Sequence, residues 1–101
     1  MKGRERAALR GEAHHLSPMV HVGQHGLSPS VISSLDDALR NHELVKVKLG
    51  SRELIEPKDA ANAMALATNS AVVQVIGRTA TLFRENPDIE KKRGDLPPWR
   101  K

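Results

Sequence analysis

A stretch of ten residues, Val20–Pro29, constrains the fold of this chain more than any other part of the sequence. It begins as a short apolar run that ends at Gly23, and a second glycine, Gly26, leads directly into Ser28 and Pro29. Glycine adopts positive φ without strain and allows a ligand to approach the backbone closely. Ser28 is a favoured N-cap and Pro29 a favoured first helical residue. The stretch predicts a strand, a glycine loop and a helix N-terminus, which can either hold a phosphate or simply turn the chain.

The length and residue content exclude several classes of protein. With 101 residues the chain suits one compact domain, and the absence of cysteine excludes disulfides, thiolate zinc sites and cysteine nucleophiles. No apolar run approaches the roughly 20 residues of a membrane span, and the first residues lack the apolar core of a signal peptide. We therefore expect a soluble, cytoplasmic protein.

The charge balance favours an anionic partner. The net charge is +4 and the sequence pI is about 9.9, which suits a polyanion such as nucleic acid. Phe83 and Trp99 are the only aromatic residues, whereas proteins that stack single-stranded bases present several rings. If the chain binds nucleic acid, we expect it to recognise the backbone and the shape.

Hydrophobic periodicity predicts three helices and four strands. In chain order they are a helix over 4–16, a strand over 19–22, a helix over 28–41, a strand over 44–49, a helix over 57–68, and strands over 71–76 and 79–83. The order α-β-α-β-α-β-β predicts an α+β fold with a four-stranded mixed sheet. The strand over 71–76 is β-branched on both faces and is predicted to be well covered.

The ordered domain is predicted to end near Arg84. Residues 1–84 carry all the periodic segments, and residues 85–101 combine prolines with lysines and arginines, as a basic, mobile tail would. The segment 52–56 between the second strand and the third helix suits either an early helical turn or an extended lead-in.

Two groups of cations follow the predicted elements. Arg6 and Arg10 recur every four residues along the first helix, and Lys46 and Lys48 alternate with apolar residues in the second strand. Such stripes are more often solvated surface than binding sites. They predict a basic helix face and a basic sheet face, without indicating which of them lies beside the glycine loop.

The sequence contains no arrangement typical of an enzyme or a metal site. His21 and His25 straddle a strand end and a loop, so their spacing is not that of a helical metal pair. Asp36 and Asp37 are neighbours on a helix and point in different directions. We expect no catalytic residue, no metal and no cofactor.

Four motifs in order resemble the CRM domain in its stand-alone bacterial YhbY-type form. They are Leu9–Pro18, Val20–Ser28, Glu43–Lys48 and Val73–Thr79. The resemblance implies an RNA-binding fold related to the C-terminal domain of translation initiation factor three, in which helices cover one face of a mixed sheet and the last strand is antiparallel to the others. It also implies association with precursors of the large ribosomal subunit.

The resemblance implies that the loop of Gly23, Gln24, His25 and Gly26 contacts RNA, as the comparable loop of KH domains does. We therefore expect a monomeric, non-enzymatic protein that binds RNA, in particular ribosomal RNA. The alternatives are a protein-interaction or assembly module whose basic faces bind an acidic protein, and an architectural protein that binds duplex DNA. The candidate RNA-binding residues are Gly23, Gln24, His25, Gly26, Ser28, Arg6, Arg10, Lys46, Lys48 and Arg78.

Overall fold

The computed structural model describes residues 3–23, 26–50 and 56–85. The elements are α1 (Gly3–Ala13), β1 (Val20–Val22), α2 (Pro29–His42), β2 (Leu44–Leu49), α3 (Pro57–Thr68), β3 (Ala71–Ile76) and β4 (Thr79–Phe83). The predicted fold class is confirmed, since the three helices accompany a four-stranded mixed sheet. The predicted tail beyond Glu85 and most of the lead-in before α3 lie outside the described residues.

The strands lie in the order β1-β2-β4-β3. β1 runs parallel to β2, and β4 runs antiparallel to both β2 and β3, so the last strand opposes the other three as the resemblance implied. The two interior strands are therefore β2 and β4, and β1 and β3 form the edges. A crossover through α2 joins the parallel pair, and Gly77 and Arg78 make the tight turn between β3 and β4.

Alternation along β2 divides the sheet into two faces. Val45, Val47 and Leu49 are buried in the larger core together with residues of α2 and α3, including Leu39 and Met64. Because side chains alternate along a strand, Leu44, Lys46 and Lys48 belong to the other face. We call the two sides the α2/α3 face and the α1 face.

Helix α1 covers part of the second face, which corrects the expectation that helices lie on one side only. Leu9 and Ala13 of α1 pack with Leu44 and Val73 in a separate, smaller core. The helix carries its own apolar stripe, and burying that stripe against the sheet removes it from water. The sheet is thus covered on both faces where α1 packs against it.

Local signals set the helix ends. Ser28 caps α2, because its Oγ accepts a hydrogen bond from the Val31 N–H at 3.3 Å. Asn69 ends α3 in the left-handed conformation with φ of 55°. Helix α1 ends at Ala13, three residues before the predicted end at Leu16, because the amides of residues 14–16 each bond to the third carbonyl back and form a tighter turn.

Strand β3 is an edge strand, so the expectation of a well-covered strand is wrong. Only Val73 among its residues is buried. The pairing with β4 shifts between Val72 and Gln74, which leaves Val73 as the extra residue of a β-bulge. As a result Val73 and Gln74 both belong to the α1 face, whereas strict alternation would have put them on opposite faces.

Arg84 ties the end of β4 to both helices of the larger core. Its guanidinium donates to Asp36 Oδ1 at 2.6 Å, to the Asp36 carbonyl at 3.1 Å and to the Thr68 carbonyl at 2.8 Å. The side chain of Arg84 is only 21% exposed. Arg40 approaches the same carboxylate at 2.9 Å, but its side chain is 65% exposed. Asp36 and Arg40 are four residues apart in α2, the spacing at which side chains on one helix face meet.

The contrast between these arginines gives a stability prediction. Arg84→Met keeps an apolar stem but removes three hydrogen bonds, and we expect it to lower the free energy of unfolding by about 2 to 3 kcal/mol. Arg40→Met should cost less than about 1 kcal/mol, since exposed ion pairs contribute little. Urea unfolding of both variants measures the difference, and equal losses would contradict this account of Arg84.

Asp36 predicts a pH dependence of stability. The hydrogen bond from Arg84 lowers the pKa of Asp36 below 3.8; burial opposes the shift, and the charges of Arg84 and Arg40 add to it. Because the folded pKa is the lower one, the contribution is complete above the pKa of the unfolded chain and is lost as the pH falls through the folded value. The stability difference between the wild type and Asp36→Asn should therefore shrink below about pH 4. A difference independent of pH in urea titrations would exclude this linkage.

Candidate nucleic-acid interface

Three connections meet at one end of the sheet. The parallel strands β1 and β2 both end there, so the glycine loop after Val22 lies beside Gly50. Strand β4 begins opposite the end of β2, where Lys48 pairs with Thr79, which brings the turn of Gly77 and Arg78 to the same place. We call this region the loop end of the sheet.

Backbone hydrogen bonds join the three connections. The Gly50 N–H donates to the Val22 carbonyl at 2.9 Å, and the Leu49 N–H donates to the Arg78 carbonyl at 2.7 Å. Arg78 Nε donates in turn to the Gly50 carbonyl at 2.7 Å. Arg78 Nη2 is buried without a hydrogen-bond partner in the described part of the chain. Arg78 thus holds the loop end together, and only part of its side chain is accessible.

Internal hydrogen bonds shape the glycine loop. The Gly26 N–H donates to the Gly23 carbonyl at 3.0 Å, and the Ser28 N–H donates to the Gly26 carbonyl at 3.0 Å. Gly26 has a φ of +67°, which explains why glycine suits this position. Gln24 and His25, the candidate residues between the two glycines, lie outside the described residues. The amides of Gly26 and Ser28 are thus already paired within the loop.

The first turn of α2 retains donors for an anion. Within residues 3–23, 26–50 and 56–85, neither Leu27 nor Ser30 donates its amide to another residue. The first turn of α2 contains no acidic side chain. The positive end of the helix dipole is therefore not neutralised by a carboxylate of its own first turn. A phosphate oxygen could take the place that a carboxylate often holds at a helix N-terminus.

The backbone conformation at Gly23, unlike that at Gly26, does not require glycine. Its φ is not positive, and a Cβ built on it would meet no atom within 4 Å. The described fold therefore gives no internal reason for glycine at position 23. The absence of a side chain there does leave the backbone open to a ligand.

Part of the α1 face is not covered by α1, since His21, Lys48 and Ile76 are exposed there. This surface, which we call the open half-face, adjoins the loop end and carries polar and basic side chains on all four strands. Its residues are His21, Lys46, Lys48, Gln74, Ile76, Thr79 and Thr81. Lys48 is exposed, and Lys46 is half-buried with its ammonium 3.3 Å from the Leu16 carbonyl. The basic sheet face predicted from alternation is present.

The structure separates the remaining cations from the loop. Arg6 lines a groove of about 530 Å³ at the edge of β3 together with Lys58 and Asn62. Since the glycine loop follows β1 at the opposite edge, Arg6 does not lie beside it. Arg10 is exposed on α1. The candidates brought together are thus Gly23, Gly26, Ser28, Lys48 and Arg78, with Lys46 adjoining them on the sheet.

Several polar residues of the open half-face were missed by the sequence analysis. His21 is exposed and pairs with Lys48 across the strands, and Thr79 pairs with both Lys48 and Ile76. The period of two in β1 and β4 was a usable signal, but it assigns a side of the sheet only once the strand pairing is known.

In the described ranges no three His, Asp or Glu side chains come together as a metal-binding group would require. Among the described helices none has the length and apolar character needed to cross a membrane.

Comparison with known proteins gives consistent matches over nearly the whole chain. The chain is 34% identical over 97 residues to "Probable RNA-binding protein YqeI" of Bacillus subtilis, covering 96% of this chain and 99% of that protein. It is 35% identical over 87 residues to an RNA-binding protein of Haemophilus influenzae, covering 86% and 88%.

A solved structure has the same fold. The solution structure of SAV1595 from Staphylococcus aureus, a protein suggested to bind RNA, superposes with a TM-score of 0.75 at 34% identity, covering 85% of this chain and 90% of that one. The sequence model of the CRS1 / YhbY (CRM) domain matches residues 1–84. The fold, the four ordered motifs and these matches agree, and this protein belongs to the CRS1 / YhbY (CRM) domain family.

Proposed function

We propose that this protein binds RNA without catalysing a reaction, and that the loop end of the sheet contacts the RNA backbone. The observation that carries the proposal is the convergence of the Gly23–Gly26 loop, the N-terminus of α2 and Lys48 at one end of the sheet. Relatives that match most of the chain are named as RNA-binding proteins, which supports RNA as the partner.

The available groups suit phosphate better than bases at this end. Leu27 and Ser30 offer backbone amides, the α2 dipole adds positive potential, and Lys48 adds a full charge. Contacts of this kind position a protein on RNA without depending on its sequence. Gln24 and His25 add polar side chains between the glycines, and His25 can donate a hydrogen bond to phosphate.

We further propose that the RNA is ribosomal and that binding occurs during assembly of the large subunit, as the family resemblance suggests. Sedimentation of a cell extract tests this step. Co-migration of the protein with large-subunit precursors, lost on ribonuclease treatment, is the expected result. Migration with a protein partner after ribonuclease treatment would instead favour the alternative in which the domain binds an acidic protein.

Charge-removing variants test the position of the interface. Lys48→Gln should weaken binding of a mixed-sequence RNA hairpin and reduce the slope of log affinity against log salt by about 1, the change expected for one lost phosphate contact. Lys58→Gln removes the same charge on α3 and should leave both quantities unchanged. Fluorescence anisotropy at several salt concentrations measures them.

A loop variant completes that experiment. Gln24→Asp with His25→Asp should bind the hairpin more weakly while retaining the wild-type circular dichroism spectrum. Unchanged affinity in the folded loop variant would exclude the loop as a contact. Binding by the wild type that does not depend on salt would count against phosphate contact as a whole.

The two glycines should respond differently to alanine. Gly26→Ala is expected to lower the free energy of unfolding by about 1 kcal/mol, because its φ of +67° strains any residue with a Cβ. Gly23→Ala should leave stability unchanged yet weaken RNA binding, since its Cβ would occupy the space of the approaching phosphate. Urea unfolding and anisotropy separate the two effects, and wild-type affinity in Gly23→Ala would rule out close approach there.

A further inference from the structure

A pocket of about 170 Å³ lies on the open half-face, between the end of α1 and the strands. The interior strands β2 and β4 and the edge strand β3 each contribute side chains to its lining. Its lining residues are His14, Lys46, Gln74, Ile76, Thr79 and Thr81. The pocket therefore adjoins the proposed interface without including the glycine loop.

Thr81 lines the pocket from β4, the central one of the three strands. Strand pairing places it between Lys46 of β2 and Gln74 of β3. The residue is 1% exposed, and its Oγ1 has no hydrogen-bond partner in the described part of the chain. A buried hydroxyl without a partner destabilises a fold, and valine would fill the same space without this cost. The hydroxyl therefore indicates a partner that the chain alone does not supply.

The bulge in β3 brings an amide to the same pocket. Because Val73 is the extra residue, Gln74 pairs with Thr81 and belongs to the α1 face rather than to the larger core. Bulges occur often beside binding sites, where they redirect a side chain. Gln74 supplies both donors and an acceptor, whereas Lys46 supplies donors only.

The walls of the pocket are partly apolar. Ile76 is 61% exposed, so its aliphatic side chain presents apolar surface beside the polar groups of the pocket. His14 is also exposed and offers a flat ring, a surface on which bases stack. A phosphate needs donors alone, but a base presents donors, acceptors and apolar faces together. The mixture in this pocket matches a base.

We propose that this pocket binds one unpaired nucleobase of the RNA, an inference that rests on the proposed RNA-binding function. Adenine matches best, because a glutamine amide can pair with its N6 and N7 atoms. In the proposed complex the Lys46 side chain, which lies across from Thr81 and is held to Leu16 by one bond of 3.3 Å, moves aside and exposes Thr81 Oγ1. The interface then combines backbone contacts at the loop end with a single base contact on the sheet.

Two RNA hairpins with identical stems test the proposal. One carries a single bulged adenosine, and the other carries an abasic ribose at the same position, so that they differ only in the base. The wild-type protein should bind the first about fivefold more tightly, the factor expected for one net hydrogen bond. In NMR spectra of ¹⁵N-labelled protein, the hairpin with the bulged adenosine should shift the amide signals of Gln74, Thr79 and Thr81, and the abasic hairpin should not.

Two pocket variants and one control locate the effect. Thr81→Val and Gln74→Met should each abolish the preference for the bulged adenosine while leaving affinity for the abasic hairpin unchanged. Thr81→Val should also unfold at an equal or higher urea concentration, since it removes the unpartnered hydroxyl. Asn62→Leu, which removes an exposed amide from α3, should preserve the preference.

The outcomes distinguish this inference from the proposed function. Equal, salt-dependent binding of both hairpins by the wild type would overturn the base pocket and leave backbone binding intact. A preference that survives in Thr81→Val and Gln74→Met would place the base elsewhere and overturn the pocket as well. Failure to bind either hairpin would contradict the proposed function, and the pocket with it.

Discussion

The alternation of side chains along β2 is the constraint on which the rest of the structure depends. Val45, Val47 and Leu49 supply the floor of the larger core, and Leu44 supplies part of the smaller one. Because β2 is an interior strand with partners on both sides, its register also fixes where β1 and β4 lie. The same strand then leaves Lys46 and Lys48 on the face that α1 covers only in part. One strand therefore determines both the packing and the position of the basic surface.

The secondary structure could be predicted wherever the signal is local. The N-cap at Ser28 and the start of α3 at Pro57 each depend on adjacent residues, and the structure has both where the sequence analysis predicted them. The end of α1 was missed because the change from α-helical to tighter bonding after Ala13 has no marker as strong as Pro18.

Features that depend on distant residues could not be predicted in the same way. The pairing of Arg84 with Asp36 joins positions 48 residues apart, and no periodicity connects them. The apolar character of β3 suggested cover on both faces, yet its position at an edge depends on the order of the whole sheet. The bulge at Val73 likewise follows from how two strands fit together.

The candidate site likewise combines features that depend on adjacent residues with features that depend on strand pairing. The glycine loop and the α2 N-terminus follow from adjacent residues and could be proposed from sequence, together with the resemblance of four motifs. Which cations accompany the loop is a question of topology: Lys48 and Arg78 reach the loop end because β2 and β4 are antiparallel, whereas Arg6 lies at the far edge. The few aromatic rings predict recognition of backbone and shape, and the base pocket proposed around Thr81 would add one base contact to it.

The pairing of β2 with β4 has a consequence for how the chain folds as it is synthesised. Leu44 pairs with Phe83, so the centre of the sheet cannot close until nearly all of α3, β3 and β4 has left the ribosome. Until then β2 has only β1 beside it, and a marginal two-stranded sheet is exposed along its inner edge. Non-local pairing of this kind slows folding. The nascent chain therefore remains incompletely folded until β4 has emerged from the ribosome.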